Sequence, residues 1–379
     1  MSTATISIKS IPADKQVKFY DIYLLLITFT LLGFSLIMVY STTGVVSSER
    51  FGDPNYYLKR QLISALAGIV LMFALAQLNV SFLRKLSVFC LPLSIFLLLL
   101  TLTPGISEAA GGARRWVNLG IIRFQPAEVV KLLFVIFIAG YISRHENRLA
   151  EFRAGVIKPF VLVCLISGLL LLQPDFGSAA VIAIVVFSMV AVSGVRLLHM
   201  FLCAGAFISS CGILIFLSPY RMKRVVSFMS PWADPSGSGY QLIQSLIAVG
   251  SGQLGGVGLG ASQQKLFFLP AAHTDFIFAV IAEELGFVGC LAVIALFLLF
   301  LWRGLHLAGR MSNDSFAFSL ASGLTLLIVL PALLNIGVVI GMLPTKGLVL
   351  PLIGFGGTSL VTTLAAVGVL LALARSDRA

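Results

Sequence analysis

Acidic residues are scarce in this chain: 15 Asp and Glu stand against 26 Lys and Arg among 379 residues, a formal net charge of +11. All charged residues together make up 11% of the sequence, less than half the roughly 25% usual in soluble domains. The four histidines, His145, His199, His273 and His306, stand singly, and no spacing of His, Cys, Asp or Glu marks a metal site. The five cysteines, Cys90, Cys164, Cys203, Cys211 and Cys290, all fall in apolar runs without a CxxC pair. No disulfide framework is implied, and they read as small core residues. The basic excess is scattered among short connections, so nucleic acid is not an expected partner.

Apolar residues fill the space instead, at 59% of the chain and a mean hydropathy of +1.04. Runs of ~20 apolar residues, enough to cross ~30 Å of hydrocarbon as a helix, follow one another. The alternating ~10-residue strands of an outer-membrane barrel are absent. The expected fold is therefore all-α, a single polytopic membrane bundle over residues 1–379. Ten transmembrane helices are expected at about 21–42, 60–78, 86–103, 126–143, 156–172, 177–193, 197–217, 275–302, 316–341 and 348–374. Residues 1–20, polar and carrying Lys9, Lys15 and Lys18, read as a cytoplasmic tail before a retained first span rather than a signal peptide. Residues 218–274 form a large periplasmic loop between helices seven and eight, too long for an idle connection. Arg84-Lys85, Arg196 and the segment from Arg144 to Lys158 lie in short connections, and placing them inside puts both termini in the cytoplasm.

On that orientation three groups of positive charge face outward: Arg50 to Arg60, Arg114 to Arg123, and Arg221 to Lys265. They run against the usual bias, which suits either a negatively charged ligand or anionic headgroups on that side. Trp116 fits the water–lipid boundary. Pro126 takes a favoured first helical position, and Glu128 and Lys131 follow at i, i+3 on one face. Such a pair either locks two helices or lines a cavity. Asp175, in Gln173-Pro174-Asp175-Phe176-Gly177, reads as a turn or N-cap residue.

Within the large loop, Arg221 to Met229 suggests a short amphipathic interfacial helix and Tyr240 to Ile247 a second short one. Gly250-Ser251-Gly252-Gln253-Leu254-Gly255 matches GxGxxG, but no strand precedes it, which excludes a dinucleotide fold. Asp275 then sits where the loop hands over to an apolar helix. Glu283 lies ~12 Å further along that helix at 1.5 Å per residue. Paired carboxylates of glycoside hydrolases are ~5 to 9.5 Å apart, so a two-acid hydrolase is not expected. At least one of Glu283 and Glu284 should face the bundle and pair, and Asn335 should bond across helices.

Several of these stretches together resemble one family. They are Gly111-Gly112-Ala113-Arg114-Arg115-Trp116, Gln125-Pro126-Ala127-Glu128-Val129-Val130-Lys131, Gly239-Tyr240-Gln241, His273-Thr274-Asp275-Phe276-Ile277-Phe278-Ala279 with Glu283-Glu284, and Pro344-Thr345-Lys346-Gly347. In that order they closely resemble the SEDS family (shape, elongation, division, sporulation). Ser230-Pro231-Trp232-Ala233-Asp234-Pro235 and Gly256-Val257-Gly258-Leu259-Gly260 look like its division branch. The resemblance implies an inner-membrane glycosyltransferase that polymerises lipid II. It also implies a class B penicillin-binding protein as transpeptidase partner, beside other divisome membrane proteins. One departure is visible: the family commonly has an acid after Pro270, where this chain has Ala271 and Ala272.

The resemblance further implies a catalytic role for Asp275, read here as general base on the acceptor hydroxyl. Arg114, Arg115, Arg123, Lys131 and Lys265 are the candidate cations for the departing pyrophosphate. Trp116, Glu128, His273, Thr274 and Lys346 complete the candidate substrate-binding set. No cofactor is assigned; a divalent cation, Mg2+ or Mn2+, could bridge the pyrophosphate, though no acid cluster marks a dedicated site. The rival readings are a lipid II flippase and a non-catalytic scaffold for division.

Overall fold

The computed structural model describes residues 20–103, 107–110, 113–118, 123–345 and 347–377. Three helices open the chain: α1 (Ile22–Phe51), α2 (Tyr56–Ala76) and α3 (Val80–Leu102). Asp21 caps α1 by accepting the Leu24 N–H at 3.1 Å, and Gly52, at φ 68°, ends it. After α3 come three short antiparallel strands, β1 (Ser107–Ala110), β2 (Ala113–Asn118) and β3 (Arg123–Phe124), in spatial order β1-β2-β3. Glu108 faces Trp116, and Asn118 faces Arg123. Among the described residues these are the strands of an otherwise helical architecture. They are too short and too polar to show a two-residue apolar alternation.

The bundle continues with α4 (Pro126–Arg144), α5 (Lys158–Leu172), α6 (Phe176–Val192) and α7 (Leu197–Phe216). The large loop contains two short helices, α8 (Pro219–Met229) and α9 (Tyr240–Ser251), close to where they were expected. The last three helices are α10 (Ile277–Arg310), α11 (Ser315–Val339) and α12 (Gly357–Asp377). Eight of the described helical segments are long and apolar enough to cross a membrane, α5 counted together with the π turn Arg153–Ile157 that precedes it, while α6, at 17 residues, is shorter. The chain is thus a multi-pass membrane protein.

α4, α11 and α12 form the centre, with most of their length buried, and α1, α2, α3, α5 and the long second part of α10 surround them. Large apolar side chains such as Val70, Phe89, Phe96 and Val288 point outward, as lipid-facing surfaces require. Cys164 belongs to that outward surface rather than to the core, whereas Cys90 is buried.

Two expected spans are built differently. The last does not begin at 348: residues 348–356 are non-helical, and Leu348, Leu350, Leu352 and Ile353 are buried in the bundle. Pro351, Gly354 and Gly356 oppose a helix there, and the Phe355 N–H donates to the His273 carbonyl at 2.9 Å. The eighth span is broken at Gly286, whose φ of 64° and ψ of −161° lie outside helical space. Residues 253–258 fill the break. Val257 and Gly258 donate N–H groups to the Glu283 and Glu284 carbonyls at 2.9 and 3.0 Å, and Phe287 and Val288 donate to the Gln253 and Leu254 carbonyls at 2.9 and 3.2 Å. Four backbone groups freed by the break thereby find partners, as a hydrocarbon surrounding demands.

The two ends of the bundle are held differently. At one end Arg303 meets Asp21 through Nε at 3.0 Å and Nη2 at 2.5 Å, and Arg84 pairs with Asp314. At the other end lie the sheet, the 173–175 turn, the large loop, and residues 340–345 and 347–356, the parts that supply Arg115, Arg224 and Gly347 around Asp275.

Candidate active site

Pro126 starts α4 where its missing N–H is harmless, and the Gln125 N–H donates to Thr358 Oγ1 of α12 at 3.2 Å. One turn on, Lys131 Nζ lies 2.8 Å from Glu128 Oε1, the side chains 9% and 14% exposed. This pair forms one wall of a cleft that Arg115, Gln125, Asp175 and Gly347 also line. The cavity is about 70 Å³. At roughly 10–15 Å³ per water it holds a few solvent molecules and is too small for a sugar ring.

Arg115 of β2 is braced across the mouth, donating from Nε to the Gln173 carbonyl at 3.1 Å and from Nη2 to the Pro174 carbonyl. Asp175 is the N-cap of α6: Oδ1 accepts the Ser178 N–H at 3.1 Å and Oδ2 its hydroxyl at 2.8 Å. It is buried and shares the cleft, which places a second acid beside the Glu128–Lys131 pair.

Asp275 lies two residues before α10, half-buried. Its carboxylate rests against Gly347 of the cleft wall; a Cβ on that glycine would come within 3.2 Å of Asp275 Oδ2. Burial pushes the carboxyl up to about 6, and the charges of Arg224 and Arg115 pull it part of the way back. Arg224, on α8, also donates to the Thr345 carbonyl at 3.0 Å, so it ties the interfacial helix to the same wall. The carbonyls of Asp275 and Leu348 both accept from Asn335 Nδ2 of α11, each at 2.6 Å.

The other candidate residues divide. His273 packs between Tyr57 and Phe355, with ring centroids 5.1 and 5.9 Å away. Burial and then the Arg50 charge hold its imidazole below its ordinary value, which keeps it neutral. The Thr274 N–H and Oγ1 close a turn on the Ala271 carbonyl at 3.0 and 3.2 Å. Arg123 stacks on Trp116, its guanidinium 4.9 Å from the ring. Arg114 faces Ala109 in the strand register. Its side chain, and Lys346 altogether, lie outside the described residues.

Lys265 is not brought into this cleft. Its ammonium lies 2.8 Å from Glu284 and 3.1 Å from Ser41 Oγ, beside a separate groove along α1. Glu283 is also engaged, accepting from the Ser262 hydroxyl and from the Gln263 N–H at 3.1 Å. Both glutamates therefore pair. Among the described residues no group of three or more His, Cys, Asp or Glu is placed to hold a metal ion.

Sequence reasoning missed the parts of the site that come from far along the chain. Asn335 was visible as a polar residue in an apolar run, but its partner lies 60 positions away. Arg224 read only as the basic face of an amphipathic helix, and Asp175 only as a cap.

A family model described as "Cell cycle protein", named for FtsW, RodA and SpoVE, matches residues 22–379. The chain belongs to this FtsW/RodA/SpoVE family. Among its relatives, a protein of Nitrosococcus halophilus named "Probable peptidoglycan glycosyltransferase FtsW" is 46% identical over 353 residues, covering 93% of this chain and 91% of that protein. A solved chain described under "Structural coordination of polymerization and crosslinking by a peptidoglycan synthase complex" superposes with a TM-score of 0.76 at 33% identity, over 94% of this chain and 98% of that one. Thermus thermophilus rod shape determining protein RodA superposes with a TM-score of 0.68 at 28% identity, over 95% of this chain and 98% of that one. The motif resemblance thus extends over nearly the whole FtsW/RodA/SpoVE-type fold.

Proposed function

We infer that this chain is a peptidoglycan glycosyltransferase, with Asp275 as the general base. The observation that carries the assignment of the base is its setting: a half-buried carboxylate, raised to about 6, against the wall of a cleft that holds Arg115 and Lys131. At neutral pH such a group is ionised, yet basic enough to accept a proton. The proposed substrate is lipid II. Asp275 takes the proton of an acceptor sugar hydroxyl, whose oxygen bonds to the anomeric carbon of the donor. The bond from that carbon to the lipid pyrophosphate breaks, and the leaving group departs with the electron pair. Arg115 and Lys131 stabilise the charge that develops on it, with Arg123 and Trp116 at the rim. The 70 Å³ cleft opens, or the sugars lie across its mouth, since it does not accommodate a ring as it stands.

In this reading all ten apolar helices cross the membrane, α6 and α7 included, with both termini cytoplasmic and Asp275 on the periplasmic side. The partner is a class B penicillin-binding protein of the division septum, within a larger divisome assembly. Transport of lipid II through the break in α10 is the less favoured reading, because residues 253–258 fill that break with hydrogen bonds.

The test is glycan polymerisation by the purified complex on lipid II. Asp275→Asn abolishes polymer while leaving partner binding intact. Polymer at the wild-type yield removes Asp275 from the mechanism, and movement of labelled lipid across vesicles without polymer supports transport.

A further inference from the structure

Asn335 sits in an apolar part of α11 and is 2% exposed. A primary amide in such surroundings is costly unless its donors are bonded. Both donors go to main-chain carbonyls outside any helix, Asp275 and Leu348, each at 2.6 Å. The Asp275 carbonyl is unused by α10, because the Ala279 N–H bonds to Phe276 at 2.9 Å instead. Leu348 opens the buried non-helical stretch that follows Gly347. One amide therefore joins the turn that carries the carboxylate to the segment against which that carboxylate rests. Gly347, the residue before Leu348, leaves little room, as a Cβ there would approach Asp275 Oδ2 to 3.2 Å. Pro331, one helical turn before Asn335, lines the same cleft, so α11 supports the wall from behind.

We propose that Asn335 is a positioning residue for Asp275, its amide fixing the spacing between the Asp275 turn and the Gly347–Leu348 wall so that the carboxylate faces the cleft. The inference rests on Asp275 acting as the base. It differs from a role in stability alone, because it ties the amide to the geometry of proton transfer, where a displacement of ~1 Å costs about 10²-fold.

The experiment compares wild type, Asn335→Ala and Asn335→Leu in the purified complex with lipid II, measuring kcat and KM across pH together with the folded fraction. Both variants remove the two donors, and Leu keeps most of the volume. The expected result is a kcat lowered about 10- to 100-fold with KM within about twofold. The acidic limb of kcat should also move to lower pH as the carboxylate gains solvent. Arg115 from β2 and Arg224 from α8 are the described charges acting on it, and both remain in the variants. Gly347→Ala serves where the Asn335 variants do not fold. It crowds the carboxylate directly and should give the same lowered kcat at unchanged KM.

Asn335→Leu at wild-type kcat overturns the inference. So does a kcat that falls only with the folded fraction while the acidic limb stays in place, or, where that variant is unfolded, Gly347→Ala at wild-type kcat. Asp275→Asn run in parallel separates the two failures. If it is active, the base assignment falls; if it is inactive beside a fully active Asn335→Leu, only the positioning role falls.

Discussion

Lys265 and Glu284 meet at 2.8 Å inside the protein, their side chains 6% and 0% exposed. Ser41 of α1 donates to the same carboxylate at 2.7 Å, so the large loop, α1 and the residue two before the break in α10 share one node. Removing either partner of such a pair strands a buried charge, at a cost of about 3–5 kcal/mol. Lys265→Met and Glu284→Leu should each lower the thermal midpoint markedly. The double variant should lose much less than their sum, which a double-mutant cycle in detergent measures. Losses that simply add would mean that the two groups are not coupled.

The raised carboxyl of Asp275 sets opposite signs for activity and stability. With Asp275 as the proposed base, only the ionised form is active, so kcat should fall as pH drops through about 6. For stability the folded group holds its proton more tightly than the unfolded one, whose value is near 3.8. Its contribution is therefore fully present below about 3.8 and is lost as pH rises to about 6. Asp275→Asn, neutral throughout, should be inactive yet more heat-stable than wild type above pH 6, with the gap closing toward pH 4. Thermal melts at several pH values check this. An equal gap at both extremes would refute the assigned cause.

Gly256 and Gly286 interlock where the loop enters the broken helix. A Cβ on Gly256 would meet the Glu284 carbonyl oxygen at 2.1 Å, and one on Gly286 would meet the Gly256 nitrogen at 2.4 Å. Both glycines have positive φ, at 78° and 64°. Gly256→Ala or Gly286→Ala should sharply reduce the yield of monodisperse protein. Gly255→Ala, which meets nothing within 4 Å, should change the thermal midpoint little. Equal behaviour of the three would dissolve the interlock.

Lys131 is the described cation of α4 that lines the cleft, with Glu128 as its counter-ion. Lys131→Met should reduce kcat/KM on lipid II by at least about tenfold, through both lost substrate charge and an unpaired Glu128. Lys131→Arg should recover part of it. Glu128→Gln should affect KM more than kcat, because the cation remains while its orientation loosens. Steady-state kinetics of the three distinguish substrate contact from helix locking, in which all three would lose folded protein in parallel.

The bundle was legible because membrane-spanning helices announce themselves by local composition, as the runs that became α3, α4 and α11 did. The Glu128–Lys131 pair and the Asp175 cap were legible for the same reason, their partners lying three residues away. The break at Gly286 was not, because its apolar run continues unbroken and the stabilising bonds come from residues 253–258. Lys265 illustrates the converse limit. Sequence gave it a cation's chemistry, while burial beside Glu284 gave it a counter-ion that only the folded chain supplies. Residues 348–356 read as the start of a span by hydropathy alone, although Pro351 and two glycines already argued against a helix.

The break in α10 has a mechanical consequence. Residues 277–285 are a short strut fastened to the long second part of their own helix, by backbone bonds to loop residues 257–258, and by side chains at Glu283 and Glu284. Asp275 stands just before that strut, where Asn335 ties its carbonyl to the Leu348 segment. The loop and the segment that Asp275 precedes are therefore joined both by backbone bonds and by the Lys265–Glu284 pair, so neither can shift without the other.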